Sequence, residues 1–178
     1  MQIPGNYILP GNKKIFMQSK ILLRQIRILI LFFMFGLLFA GITAIPLLAE
    51  LKWLMAHEQY FPGWLNGWIK NVYSGLSATN AAYPYIIYGI DWLAYAHVII
   101  AILFIGVYRN PIKNIWIIEW AMWSCAIIFP VAFIFGPVRG IPFYHQIIDC
   151  SFGVIGILVL YFTRKKILRL QALTNAEK

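Results

Sequence analysis

Residues 28–49 read ILILFFMFGLLFAGITAIPLLA, 22 consecutive positions without a charged side chain, bounded by Arg27 and Glu50. About 20 apolar residues in a helix cross the ~30 Å hydrocarbon core of a bilayer, so this run predicts a membrane span. It is too long for the apolar core of a cleaved signal peptide, typically about 7 to 15 residues, and is expected to remain in the protein. Pro46 predicts a bend near its outer end. Gly36, Ala40 and Thr43 recur at i, i+4 and i+7, with Glu50 continuing that face, which offers a small-residue stripe for close helix packing.

Working outward, apolar stretches at 86–107, 114–135 and 146–162 repeat the pattern. The expected fold class is all-α, an integral membrane four-helix bundle. Its four-span domain covers 28–163, between a basic segment, 1–27, and a basic tail, 164–178. Composition agrees: at 61% hydrophobic and 12% charged, with mean hydropathy +0.74, there is too little polar surface to enclose a water-soluble core. In segment 1–27, Pro4-Gly5 and Pro10-Gly11 read as turns, and the second half is expected to begin a cytoplasmic helix.

The net charge of +9 is distributed unevenly. Twelve of the 15 Lys and Arg residues fall before the first span, between the second and third, or after the fourth; Lys52, Lys70 and Arg139 fall on the other side. By the positive-inside rule both termini are cytoplasmic, in a bacterial-type cytoplasmic membrane. No aromatic-basic interleaving accompanies the charge, so lipid rather than nucleic acid is the expected partner, with a membrane-protein partner or a second copy alongside it.

The outer connection, 50–85, is crowded with aromatics, including Trp53, Tyr60, Trp64, Trp68 and Tyr73. From Trp64 onward, Leu65, Trp68, Ile69, Val72, Tyr73 and Leu76 share one helical face, opposite Asn66, Lys70, Asn71 and Ser74. That pattern predicts an amphipathic helix lying flat at the membrane interface between the first two spans.

Ionisable residues inside apolar spans are the candidate site residues, because they are costly in lipid unless they face protein or water. Asp91 is expected about 7 Å and His97 about 16 Å below the outer boundary of the second span. His97 shares a face with Ala94 and Ala101, which predicts that it points at a neighbouring helix. Glu119 lies about 8 Å inside the third span and is expected to reach back to Lys113 or Arg109. His97 and Glu119 are the candidate intramembrane relay. Pro130 predicts a kink, and Trp116, Trp120 and Trp123 form a packing or interfacial stripe.

The densest group follows, in Gly136–Gly153, where a Gly/Pro turn carries Arg139 toward a helix start holding His145 and Asp149. Asp91, Arg139, His145 and Asp149 form the candidate outer polar cluster, with Arg139 expected to pair with Asp149 or Asp91. His145, Asp149, Gly153 and Gly156 fall on one inward stripe.

No catalytic residue, metal site or cofactor is expected. Cys125 and Cys150 lack CxxC spacing, His57-Glu58 lacks the second histidine of a zinc-protease motif, and His97 and His145 differ in depth by about 16 Å, too far for axial ligands of one haem iron. The expected function is a non-enzymatic structural or partner-binding membrane component. The alternative is translocation of protons, ions or a small solute, or membership of a transport or redox assembly, through the outward-facing cluster.

Overall fold

The computed structural model describes residues 10–176, and side chains from 15 to 175. The Pro4-Gly5 turn lies outside the described residues. Six α-helices follow in order: α1 (Pro10–Ala44), α2 (Leu47–Ala56), α3 (Gly63–Ala82), α4 (Pro84–Arg109), α5 (Ile115–Val138) and α6 (Phe143–Ala176). A short 3-10 turn, Glu58–Tyr60, separates α2 from α3, and no strand occurs among the described residues. Four helices are long and apolar enough to cross a membrane: α1 from Ile15, α4, α5 and α6 to Asn175.

Several boundaries differ from the sequence reading, each for a local reason. Pro10 opens α1 instead of marking a turn, because its fixed φ suits a first helical position and its missing N–H is not needed there. The first span stops at Ala44, not Ala49: Pro46 lacks the amide that would continue the helix, and the chain restarts as α2. The connection read as 50–85 is therefore largely helical. α5 continues through Pro130, Gly136 and Pro137 to Val138. α6 runs well past Phe162, since Leu, Lys and Arg are good helix formers and no Gly or Pro follows Gly156. Thr163, Ile167 and Leu170 stay buried in that extension.

The chain forms two compact units. One combines α1 up to Met34 with the chain from Leu103 onward; the other is Phe35–Ile102. In the first, Ile26, Ile30, Phe104, Val107, Ile118, Leu160 and Ile167 are fully buried, and the rings of Phe33 and Phe104 lie 4.9 Å apart. Asn114 ties the α4–α5 turn, its Nδ2 donating to the carbonyls of Gly106 and Asn110, each at 2.9 Å. α5 and α6 form an antiparallel hairpin with close backbone approach. A Cβ at Gly153 would lie 2.9 Å from the Cys125 carbonyl oxygen, and one at Gly156 only 2.7 Å from Cys125 Sγ.

In the second unit α1 meets α4 at Gly41, where a Cβ would lie 2.9 Å from both the Ala94 carbonyl oxygen and His97 Cβ. The expected stripe of Gly36, Ala40 and Thr43 is not the packed one: Gly36 has nothing within 4 Å and Ala40 is exposed. Five residues turn a helix through about 140°, so Gly36 and Gly41 cannot share a face. α3 packs on α2, and the apolar face read from Trp64 to Leu76 is turned inward from Leu65 onward, while Trp64 itself is 57% exposed. Ile69 is 8% exposed, while Leu65, Trp68, Val72, Tyr73 and Leu76 are half-buried. Asn66 Nδ2 donates to the carbonyls of Glu58 (2.7 Å) and Phe61 (3.2 Å), and Lys70 pairs with Glu58, clamping the start of α3 to the 3-10 turn.

The two α6 glycines make separable predictions. Gly156→Ala is expected to cost about 1 to 3 kcal/mol, the usual range for overpacking, and Cys125→Ala should recover most of that loss by removing the sulfur. Gly153→Ala meets a backbone oxygen, so Cys125→Ala should not rescue it. Thermal melts in detergent check both; equal rescue at the two positions would contradict this packing.

Candidate functional site

The Gly136–Gly153 stretch is built by a helix C-terminus that closes on itself. Ile141 N–H donates to Gly136 O (2.9 Å) and Gly140 N–H to Pro137 O (3.1 Å), which satisfies carbonyls left open at the end of α5. That closure requires a left-handed residue, and Gly140 supplies it at φ 66°. Arg139 is the C-cap, and its exposed side chain follows directly from that position. Pro142 then leads into α6, accepting from the amides of His145 (2.9 Å) and Gln146 (3.2 Å).

Gln146 is the residue the sequence reading missed. It is 4% exposed, its Nε2 donates to Ile141 O at 2.8 Å, and its side chain fills the space where Gly136 has no Cβ. A polar residue opening an apolar helix after a Gly/Pro turn was its only signal.

Of the candidate outer cluster, His145 and Asp149 come together: Nε2 lies 3.9 Å from Oδ1, one turn apart on α6, with both side chains roughly half-exposed. Among the described residues, no ion pair within 4 Å joins Arg139 to Asp149, a correction to the expected pairing. Helix periodicity places His145 beside Asp149, whereas the backbone bonds of the turn hold Arg139 as the α5 cap. Asp91 is exposed on the α4 portion of the second unit.

His97, also in that unit, is half-buried where Gly41 approaches, and Ala94 and Ala101 on its face are buried at 2% and 1% exposure. Its Nδ1 lies 2.8 Å from the Leu93 carbonyl. A carbonyl only accepts, so Nδ1 carries the hydrogen of this bond.

Glu119 does not reach Lys113 or Arg109. Its Oε1 accepts from Arg164 Nε at 2.8 Å, across the hairpin. Lys113 and Arg109 are nearer in sequence, but α6 passes beside the Glu119 face of α5, bringing Ile157 and Arg164 to it. Arg164 lies 15 residues beyond Asp149, about 22 Å along α6, so Glu119 is not part of the outer cluster. Trp116, Trp120 and Trp123 are 56%, 43% and 72% exposed, a stripe facing out of the protein. Both cysteines are buried free thiols, and no group of three or more His, Cys, Asp or Glu side chains placed to hold a metal occurs among the described residues.

The Glu119–Arg164 pair makes an asymmetric prediction. Arg164→Gln strands a carboxylate within an apolar helix, whereas Glu119→Gln leaves an arginine beside Lys165 and Lys166, toward the polar end of α6. The first should destabilise more, by about 1 to 3 kcal/mol, less than a fully buried pair because both side chains are partly exposed. The double variant should melt above Arg164→Gln alone; melting at or below that single variant would refute the coupling.

Comparison with protein-family models, with curated proteins and with solved structures found no match for this chain.

Proposed function

We propose that this protein is a four-span integral membrane component that works by packing against a partner, either another membrane protein or a second copy, and not by catalysis. The observation that carries this reading is the apolar surface its long helices leave uncovered. The most apolar windows of α1, α4, α5 and α6 are only 17%, 22%, 11% and 33% buried within the chain. Phe32, Phe35, Phe39, Trp123 and Phe152 are each more than half exposed. Such a wall is stable against lipid or another apolar surface and costly against water. α5 keeps least of its apolar window to itself and carries the outward tryptophans, which makes it the favoured face for a partner helix.

In the proposed arrangement the helices form a bundle in a bacterial-type cytoplasmic membrane with both termini cytoplasmic, a reading supported by the twelve-to-three charge asymmetry. The α2–α3 hairpin lies at the outer interface. Its inward apolar face packs on protein, and its exposed aromatics Trp53, Tyr60 and Trp64 enter the headgroup layer.

Translocation of protons, ions or a small solute is the second reading, favoured by the half-exposed His145 beside Asp149. Against it, Glu119 is neutralised by Arg164, and His97 Nδ1 is committed to its own helix.

Two measurements test these statements. A membrane-impermeant thiol reagent applied from outside should modify Asn80→Cys and should reach Lys165→Cys only after permeabilisation; equal labelling from one side would overturn the threading. In proteoliposomes the purified protein should conduct no protons, while a stoichiometric partner or homo-oligomer should survive mild detergent. A proton flux abolished by Asp149→Asn would replace the packing role with the translocation role.

A further inference from the structure

We propose that the groove along the first part of α1, lined by Lys20, Arg24, Arg27, Ile28, Leu31 and Tyr108, binds the phosphodiester headgroup of an anionic phospholipid. The inference deepens the membrane reading above and rests on it. Lys20, Arg24 and Arg27 recur at i, i+4 and i+7, so the three cations share one face of α1. No acidic side chain lines the groove, and its charge is therefore uncompensated. Cations close to hydrocarbon are costly unless something neutralises them. An anion in the groove would do so.

Arg27 is already shaped for the role. Its Nε donates to the Tyr108 carbonyl at 3.3 Å and its guanidinium lies 5.1 Å from the Tyr108 ring centroid, which holds one edge of the groove in place. Lys20 Nζ rests 4.4 Å from the Phe16 ring centroid. Arg24 is exposed and makes no hydrogen bond or ion pair among the described residues, so its guanidinium has its donors available. A guanidinium presents a planar fork of N–H groups that matches a phosphate.

The order of residues along the helix selects a lipid over a soluble anion. After the cations come Ile28 and Leu31, 55% and 49% exposed, and the run continues apolar. A phospholipid presents the same sequence, phosphate first and acyl chain beyond it. Seven residues separate Arg24 from Leu31, about 10 Å along the axis. Inorganic phosphate would leave the apolar half unused. The groove encloses about 470 Å³, within the roughly 300 to 1,000 Å³ usual for small-ligand sites.

Native mass spectrometry of the detergent-purified full chain, titrated with phosphatidylglycerol or phosphatidylcholine, tests the site. Phosphatidylglycerol adducts should persist at activation energies that remove phosphatidylcholine. Lys20→Gln with Arg24→Gln should weaken phosphatidylglycerol binding by roughly 25-fold, about fivefold per removed charge, and Lys20→Arg should retain it. Arg27 is left unchanged because it supports Tyr108. Lys165→Gln with Arg169→Gln removes the same charge from α6 and should leave binding within about twofold; an equal loss there would mean diffuse attraction and overturn the site. Displacement of the lipid by equimolar glycerol phosphate would overturn it in favour of a soluble phosphate. If the protein resists carbonate extraction from membranes but shows no preference for phosphatidylglycerol, the site is wrong and the membrane reading stands. Release by carbonate would overturn both.

Discussion

At Gly153 the α6 helix approaches the backbone of α5, and the register of the hairpin depends on that contact. With Cys125 facing Gly153 and Gly156, Gly136 faces Gln146 beside the turn and Glu119 faces Arg164 toward the far end, all in one antiparallel register. Sliding α6 by one residue would rotate its face by about 100°. Gln146 would leave Gly136 and Arg164 would leave Glu119 together. The hydrogen bond to Ile141 and the ion pair thus both depend on a contact that neither of them makes.

Helices with apolar walls gain little hydrophobic energy by exchanging an apolar surrounding for one another, so close approach and polar pairs must carry their association. The second unit uses the same device at Gly41, against the Ala94 carbonyl and His97. Five hydroxyl groups in these helices are satisfied without a partner helix, Thr43, Ser74, Ser124, Thr163 and Thr174 each donating to the carbonyl four residues earlier, whereas the buried Ser19 Oγ of α1 has no partner among the described residues. The apolar segments therefore carry small polar groups at little cost, while cross-helix polar contacts such as Glu119–Arg164 remain few and specific.

Charge is arranged differently at the two ends of the α5–α6 hairpin. His145 and Asp149 lie at the turn end, beside the Arg139 cap, and are partly exposed. At the other end Glu119 is covered by Arg164, and Lys166 donates to Gln25 of α1 at 2.7 Å. Cations outnumber carboxylates strongly at that end, which suits a surface meeting anionic headgroups. The aromatic stripe on α5 begins at the Glu119 end, and its three tryptophans are 56%, 43% and 72% exposed among the described residues, consistent with a packing role.

The amino-acid sequence by itself determined the all-helical class, the number of long apolar helices and their approximate positions, because a run such as 28–49 can satisfy its backbone and its side chains in few other ways. It also placed the Gly/Pro turn, since glycine adopts a left-handed conformation without strain, as Gly140 does there. Helix ends were less legible. Hydropathy reports where apolar residues stop, and α6 continues through Arg164–Arg169 because helix propensity does not stop with them. The partners of the candidate residues were decided only by tertiary structure. For Glu119 the sequence reading offered Lys113 or Arg109, and hairpin register selected Arg164 instead. Gly36 and Gly41 were both small enough to pack, and only the position of α4 distinguished them. Arg139 and His145 were both near Asp149 in sequence, and the backbone closure at Gly140 with the helical spacing of His145 decided between them. Sequence periodicity identifies a face but not what covers it, because that depends on the rotation and register of a second helix.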